Sequence, residues 1–388
     1  MYPHQIERLD AALHKFDVDA LVATGPADVA YLTGFSSFSR AVYPADVAAV
    51  YAKSGRTALV IPTIDAPEFV LGDATADEVA CHGRFFLNVG ERADQHARRA
   101  GTLAADATDT AAEALTRVLD GLQLGRARIG IDDPALPGAV PIAAQPSRFR
   151  IAPTAGAVAW ARTIKGPYEI DCLARALHIA EEAIHTVLGE LEAGATEREA
   201  VGLYERAVAA RGATPYAAII AFGPDTALPA APPGDRALRT GEFVRFDVGA
   251  TFKGYRGDVA RMGVLGEPAP RAQRIYDAVE AGVQAAVDAI APGVAARAVF
   301  EAAVNAVRAA GLPEFRRHHV GHGLGLEAAE APWLRPDGES LDTGMVLRVE
   351  TPYYELGAFG VAIKETLLVT RGGATVVNRS HRGLVVLD

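Results

Sequence analysis

Two aspartates set in strand-forming surroundings are the first side chains that ask for chemistry. Asp247 lies inside the apolar run FVRFDVGA, and Asp258 opens the run DVARMGVLG. Between them, TFKGYRG carries Lys253-Gly254, a pair suited to a tight hairpin turn. A turn centred there sets Asp247 opposite Ala260. Asp258 then becomes the diagonal neighbour of Asp247 on the same face, ~7–8 Å away. Two carboxylates on one face repel unless a cation or a proton lies between them. A shared cation or a substrate is therefore expected here, in preference to a simple turn cap.

The segment RRHHVGHGLGLEAAEAPW brings His318, His319 and His322 together. Gly321, Gly323 and Gly325 argue against a helix, so His318 and His322 are not a helical zinc pair. Alternating glycines instead let the backbone pass close to a ligand or a neighbouring strand. Glu350 closes the strand-like MVLRVE ahead of Thr351-Pro352. Lys364 and Glu365 sit side by side in VAIKETLLVT, where alternation points them to opposite faces. One of them is expected to point inward, and a buried charge needs a partner.

These residues need elements to hold them. Apolar residues recur at helical spacing in 4–16, while ALVAT (20–24), VAAVYA (47–52), TALVIP (57–62) and RARIGID (126–132) read as strands. A further helix is expected over 104–122. Pro137, Pro141, Pro146 and Pro153 break regular structure and mark a boundary. The expected division is an N-terminal α/β domain, 1–155, and a C-terminal catalytic-size domain, 156–388. The second opens with a long helix pattern ending at Gly194, then a helix over 196–212 with Thr196 and Glu199 spaced as a capping box. Strands at 217–223, 243–250 and 258–266 follow, then helices at 271–290 and 295–311, then strands at 345–354, 361–370 and 374–378. The fold class is α+β. A helix pair followed by strands occurs in both 167–266 and 271–370, which hints at duplication.

The 388 residues are 50% hydrophobic and 22% charged, which excludes disorder, collagen and coiled coil as the main reading. A net charge of −10 without a dominant basic patch makes nucleic acid an unexpected partner. Cys81 and Cys172 offer neither a disulfide framework nor a cysteine-ligated zinc, which fits a reducing cytoplasm. The N-terminal segment has no signal pattern, and no apolar run reaches the ~18 residues of a membrane span.

In order, Asp247, Asp258, His322, Glu350 and a charged residue at 364 resemble the pita-bread family of creatinase, prolidase, aminopeptidase P and methionine aminopeptidase. RTIKGPYEI is similar to that family's entry to its C-terminal domain, and FDVGATFKGYRGDVAR to its paired-aspartate hairpin. The resemblance implies a C-terminal pita-bread domain behind a creatinase-type N-terminal domain. In the family's metallopeptidases two metals are held by two aspartates, two glutamates and a histidine. Asp247, Asp258, His322 and Glu350 match that set, but Lys364 stands where the last glutamate belongs. Aligning Glu365 with it would need a bulge. Family residues are also replaced at Ala230, Ala329 and Ala362.

An ammonium in place of a ligand carboxylate can neutralise the acidic site itself. No cofactor is therefore expected, though a single divalent ion on the four remaining ligands stays open. Creatinase-like and ectoine-hydrolase-like relatives work without metal, and their N-terminal domain lends an aromatic and an arginine to the partner subunit's site. Phe38 and Arg40 in YLTGFSSFSR resemble that pair, implying a homodimer, and Tyr255 joins them as a substrate-binding residue. The expected function is metal-independent hydrolysis of a C–N bond in a small amino-acid-like substrate. His318, His322, Glu350, Asp247, Asp258 and Lys364 are the catalytic candidates. The alternatives are a metal-dependent Xaa-Pro peptidase with an altered site, a lyase or isomerase, and a non-catalytic binding protein.

Overall fold

The structure is a computed structural model that describes residues 1–132 and 149–387. Pro137, Pro141 and Pro146 lie outside the described residues. The chain divides into two compact units, Met1–Arg162 and Thr163–Asp388.

In the first unit, helices α1 (Pro3–Phe16), α2 (Pro26–Thr33), α3 (Ser39–Val42), α4 (Ala66–Leu71), α5 (Gln95–Ala105), α6 (Ala111–Gly121) and α7 (Ala157–Arg162) surround a six-stranded mixed sheet. Its strands are β1 (Ala20–Ala23), β2 (Ala48–Ala52), β3 (Thr57–Pro62), β4 (Glu78–His82), β5 (Arg128–Ile131) and β6 (Arg150–Pro153), in the order β4-β3-β2-β1-β5-β6. β1, β2 and β3 are buried along their whole length, as strands covered on both faces must be. The helix expected over 104–122 is two helices. Thr110 caps α6, its hydroxyl accepting from Glu113 N at 3.2 Å while the Glu113 carboxylate accepts from Thr110 N at 3.1 Å. That capping box starts a new helix where the periodicity alone reads through. The division between units falls after α7 because Arg8 on α1 donates to the carbonyls of Trp160 and Ala161, both at 3.1 Å.

The second unit carries a helix pair and strands twice. Helices α8 (Pro167–Leu188) and α9 (Glu197–Ala210) precede β7 (Thr214–Phe222), β8 (Phe243–Phe252) and β9 (Tyr255–Leu265). Helices α10 (Pro270–Ala289) and α11 (Ala296–Ala309) precede β10 (Gly321–Gly323), β11 (Glu330–Trp333) and β12 (Val346–Glu350). Strands β13 (Tyr353–Glu355), β14 (Phe359–Val361), β15 (Lys364–Thr370), β16 (Gly373–Val376) and β17 (Val385–Leu387) complete the chain. α8 stops at Leu188, short of Gly194, because Gly189 caps it.

The strands form a four-stranded sheet, β17-β9-β8-β7, a five-stranded sheet, β11-β10-β12-β15-β16, and a two-stranded sheet, β13-β14. One core packs Ile184, Val187, Tyr204 and Val208 of the first helix pair against Phe246 and Val248. The other packs Val279, Val283, Val299 and Val307 of the second pair against Leu347, Val349 and Leu367. Each helix pair thus covers a sheet with its apolar stripe.

Candidate active site

The hairpin of β8 and β9 turns at Lys253-Gly254, both with positive φ (49° and 83°). Asp247 pairs with Ala260 and Asp258 with Gly249, so the two aspartates are diagonal neighbours on one face, as the sequence predicts. In the other sheet, Glu350 lies directly opposite Lys364, and His322 directly opposite Arg348. The β12–β15 register runs without a bulge, so Lys364, not Glu365, takes the position facing the aspartates. Gly321 has φ of 148°, and a Cβ there would strike the Arg348 carbonyl. Glycine is what lets β10 approach β12 closely enough to set His322 on Arg348.

The cation demanded by the paired aspartates is the Lys364 ammonium. Nζ donates to Asp247 Oδ1 and, at 3.1 Å, to Asp258 Oδ1. Arg348 is the second cation. It donates to Asp258 Oδ2 and, at 2.6 Å, to His322 Nε2, and its Nη2 lies 3.4 Å from Glu350 Oε1. Arg317 Nη2 is 3.6 Å from Glu350, and Arg245 Nη1 is 3.6 Å from Asp247. Three carboxylates therefore face four cations, and Asp258, Glu350, Lys364, Arg348 and His322 are all buried.

This arrangement fixes the charges. Burial alone would raise the Glu350 carboxyl, but Arg348, Lys364 and Arg317 outweigh it and hold it at about 2. Asp258 is likewise pulled down against its burial by Arg348 and Lys364. Burial would lower the Lys364 ammonium, yet Asp247 and Asp258 push it up, so it stays charged. His322 is lowered to about 4, by burial first and then by Arg348. Its Nδ1 contacts the Gly323 carbonyl at 2.8 Å, and a carbonyl can only accept, so Nδ1 carries the proton. Nε2 is then the acceptor for Arg348. Both nitrogens are occupied and the ring is neutral. Arg348, Lys364 and Arg317 thus hold Glu350 charged, and burial with Arg348 holds His322 neutral, so neither titrates near neutral pH.

His318 is exposed and does not join the cluster, whereas His319 Nδ1 lies 3.9 Å from Glu350 and accepts from Gly321 N at 3.1 Å. Arg317 and His319 thus approach Glu350 while His318 is exposed. The His319 and His322 rings both lean on Trp333, at 5.3 and 5.0 Å. Glu365 corrects the expectation that only one of the two adjacent charges points inward. It is buried on the opposite face, where Arg261 Nη2 meets it at 2.9 Å. Tyr255 is buried with Cys172, Leu173 and Leu324, and its hydroxyl donates to Glu169 at 3.2 Å. In the first unit, the Phe38 side chain is exposed. Arg40 donates to the carbonyls of Thr24 (2.7 Å), Val47 (2.9 Å) and Ala45 (3.0 Å) within that unit.

A pair of metal ions does not fit these residues. Their ligand oxygens are the acceptors of Lys364 and Arg348, and His322 Nε2 accepts from Arg348. Among the described residues, no group of three or more histidine, cysteine, aspartate or glutamate side chains is arranged to hold an ion.

The pairing of the histidines with burial predicts a pH dependence of stability. In the unfolded chain His319 and His322 titrate near ~6.5, whereas both are lowered to about 4 when folded. Between these values the unfolded state binds more protons, so stability rises with pH through this window and is full above it. Acidifying from pH 7.5 to 4.5 is expected to remove on the order of 3 kcal/mol through His322, and less through the more open His319. Denaturant melts of wild type and His322→Gln across that range check it. The variant should lose less, and parallel curves would refute the assignment.

Residues 171–371 match the model of metallopeptidase family M24. The chain belongs to this family. It is 36% identical over 215 residues to an uncharacterized peptidase of Staphylococcus saprophyticus, covering 55% of this chain and 61% of that one. An uncharacterized peptidase of Staphylococcus aureus is 33% identical over 224 residues, 57% and 64% of the two chains. The matched region thus spans less than two thirds of these curated relatives. Among solved structures, dipeptidase PepE from Mycobacterium ulcerans has 26% identity and a TM-score of 0.77, covering 99% of this chain and 97% of that one. A Xaa-Pro dipeptidase from Bacillus anthracis has 24% identity and a TM-score of 0.78, covering 99% of both. A prolidase from Thermococcus sibiricus has 23% identity and a TM-score of 0.80, covering 100% and 99%. The chain thus shares its fold over nearly its whole length with these solved structures, its second unit being the pita-bread domain, and the family is one of peptidases. No helix among the described residues is long and apolar enough to cross a membrane.

Proposed function

We propose that this chain is a metal-independent M24 enzyme that hydrolyses a C–N bond in a small amino-acid-like substrate. The observation that carries this reading is the Lys364 ammonium between Asp247 and Asp258, where it does the charge neutralisation otherwise left to metal. Lys364 and Arg348 remain charged throughout the neutral range, so they serve as preorganised positive charge for an oxyanion formed at the scissile carbon. His319 is the base in this scheme: the lone pair of its Nδ1 accepts from Gly321 N at 3.1 Å, and the ring must release that N–H before it takes a proton from water. Its imidazole is neutral at pH 7, and Glu350 beside it favours the imidazolium that forms once it takes a proton from water. The imidazolium then returns that proton to the leaving amine. We place the enzyme in the cytoplasm, in keeping with two buried free thiols, Cys81 and Cys172, and as a homodimer in which the exposed Phe38 serves the partner's substrate.

A specific observation favours a second reading, a binding protein without catalysis. Every charged group of the cluster already has an opposite partner, and Glu350 at about 2 is a weak base. The test is hydrolysis of a panel of Xaa-Pro dipeptides and N-substituted amino acids by protein of measured metal content, with and without EDTA. Turnover unaffected by EDTA, and lowered ~10²–10⁴-fold in His319→Ala, is the expected result. Activity abolished by EDTA and restored by manganese would overturn the proposal. Saturable binding without turnover of any member would favour the second reading.

A further inference from the structure

Helix α11 and the segment that follows it line an open cavity of about 310 Å³, bordered by Phe300, Val304, Asn305, Arg308, Arg316 and Arg317. Three arginines line it in a protein whose net charge is −10. The one carboxylate of the lining, Glu301, is engaged by Arg297 Nε at 2.8 Å. Arg316 meets Glu314 only at 3.7 Å, with both side chains exposed. Arg308 is oriented by its Nε, which donates to the Phe315 carbonyl at 3.0 Å, and its two terminal nitrogens have no protein partner among the described residues. Arg317 is mostly buried, and its Nε has no hydrogen-bond partner among the described residues. Phe300 and Val304 give the same cavity an apolar wall.

We propose that this cavity binds a small organic oxyanion, a carboxylate or phosphate monoester with an apolar body. The terminal nitrogens of Arg308 supply charge-assisted hydrogen bonds, the Arg317 guanidinium adds its charge at the cavity wall, and Phe300 and Val304 take the apolar part. Arg317 makes the cavity more than an isolated surface site. Its Nη2 also lies 3.6 Å from Glu350, so a bound oxyanion competes with Glu350 for the same guanidinium. Occupancy is thereby communicated to the charge cluster, whatever reaction that cluster performs.

The experiment is calorimetric titration of the full chain with phenyl phosphate, benzoate and inorganic phosphate at fixed ionic strength. Saturable binding is expected, tighter for the two aromatic anions than for inorganic phosphate, and the first two distinguish phosphate from carboxylate preference. Arg308→Gln and Arg317→Gln should each weaken it about 10-fold, the loss of one charge-assisted contact. Asn305→Trp fills the cavity without altering charge and should abolish binding. Should Arg317→Gln fail to fold, the other two variants carry the test. Absence of saturable binding, or affinity unchanged in Arg308→Gln and Asn305→Trp, would overturn the assignment and leave only diffuse attraction to arginines.

Discussion

Replacing Lys364 with methionine is expected to destabilise the second unit by about 3–5 kcal/mol, the range for stripping one partner from a buried ion cluster. Methionine matches the length and apolar stem of lysine, so packing changes little. The loss comes from Asp247 and Asp258, which face each other across the hairpin and lose the ammonium between them. Asp258 keeps Arg348, and Asp247 keeps only Arg245 at 3.6 Å. The melting temperature should fall by roughly 10 °C. The sign of the pH response separates electrostatics from packing. Lys364 is one of the two cations that hold the Asp258 carboxyl below its ordinary value, and its removal lets that carboxyl rise toward the ordinary value. The stability Lys364 gives through Asp258 is fully present above the unfolded value of ~3.9 and is lost as pH falls below it. The gap between variant and wild type should therefore hold from pH 7 to pH 4 and narrow below pH 4. A gap independent of pH would mean that lost packing, not charge, is the cause.

How much of this site was readable beforehand depended on whether the signal was local. The β8–β9 hairpin was legible because a two-residue turn at Lys253-Gly254 pins its register, and strand alternation does the rest. The vacancy for a cation between the aspartates followed from that register alone. Arg348 and Arg245 were missed, although each stands two residues before an acid on its own strand, in Arg348–Glu350 and Arg245–Asp247, and so shares its face. The signal lies in that two-residue spacing. Arg317 and His319 carried no such signal. Their approach to Glu350 depends on where the irregular segment before β10 runs, which no periodicity encodes. The inward turn of both Lys364 and Glu365 was hidden for a different reason. A strand covered on both faces buries both residues of an adjacent pair, and burial on the second face depends on Arg261 from another strand. Arg40 shows the limit of resemblance. Its place in the motif implied a substrate contact, whereas three carbonyls of its own unit hold it.

Lys364→Glu alone is expected to gain little affinity for divalent metal, whereas Lys364→Glu combined with Arg348→Asn should gain at least ~10²-fold over wild type for manganese or cobalt. The single substitution supplies the missing carboxylate but leaves Arg348 bound to Asp258 and His322, and close to Glu350. Those are the same oxygens and the same nitrogen that a metal would need. Removing the guanidinium frees them together. The histidine is already in the required tautomer, because Nδ1 holds its proton on the Gly323 carbonyl and leaves the Nε2 lone pair facing the cluster. The double variant then presents four carboxylates and a neutral imidazole, a donor set suited to divalent ions of this type. Calorimetric titration of metal gives the affinities directly. Metal at 100 times its dissociation constant should also add about 2.7 kcal/mol of stability, visible in melts of the double variant and absent from wild type. Tight stoichiometric metal in the wild-type protein would show that Lys364 and Arg348 yield to a metal. Equal affinity in the single and double variants would show that Arg348 is no obstacle. Either result would remove the physical basis for a metal-independent site.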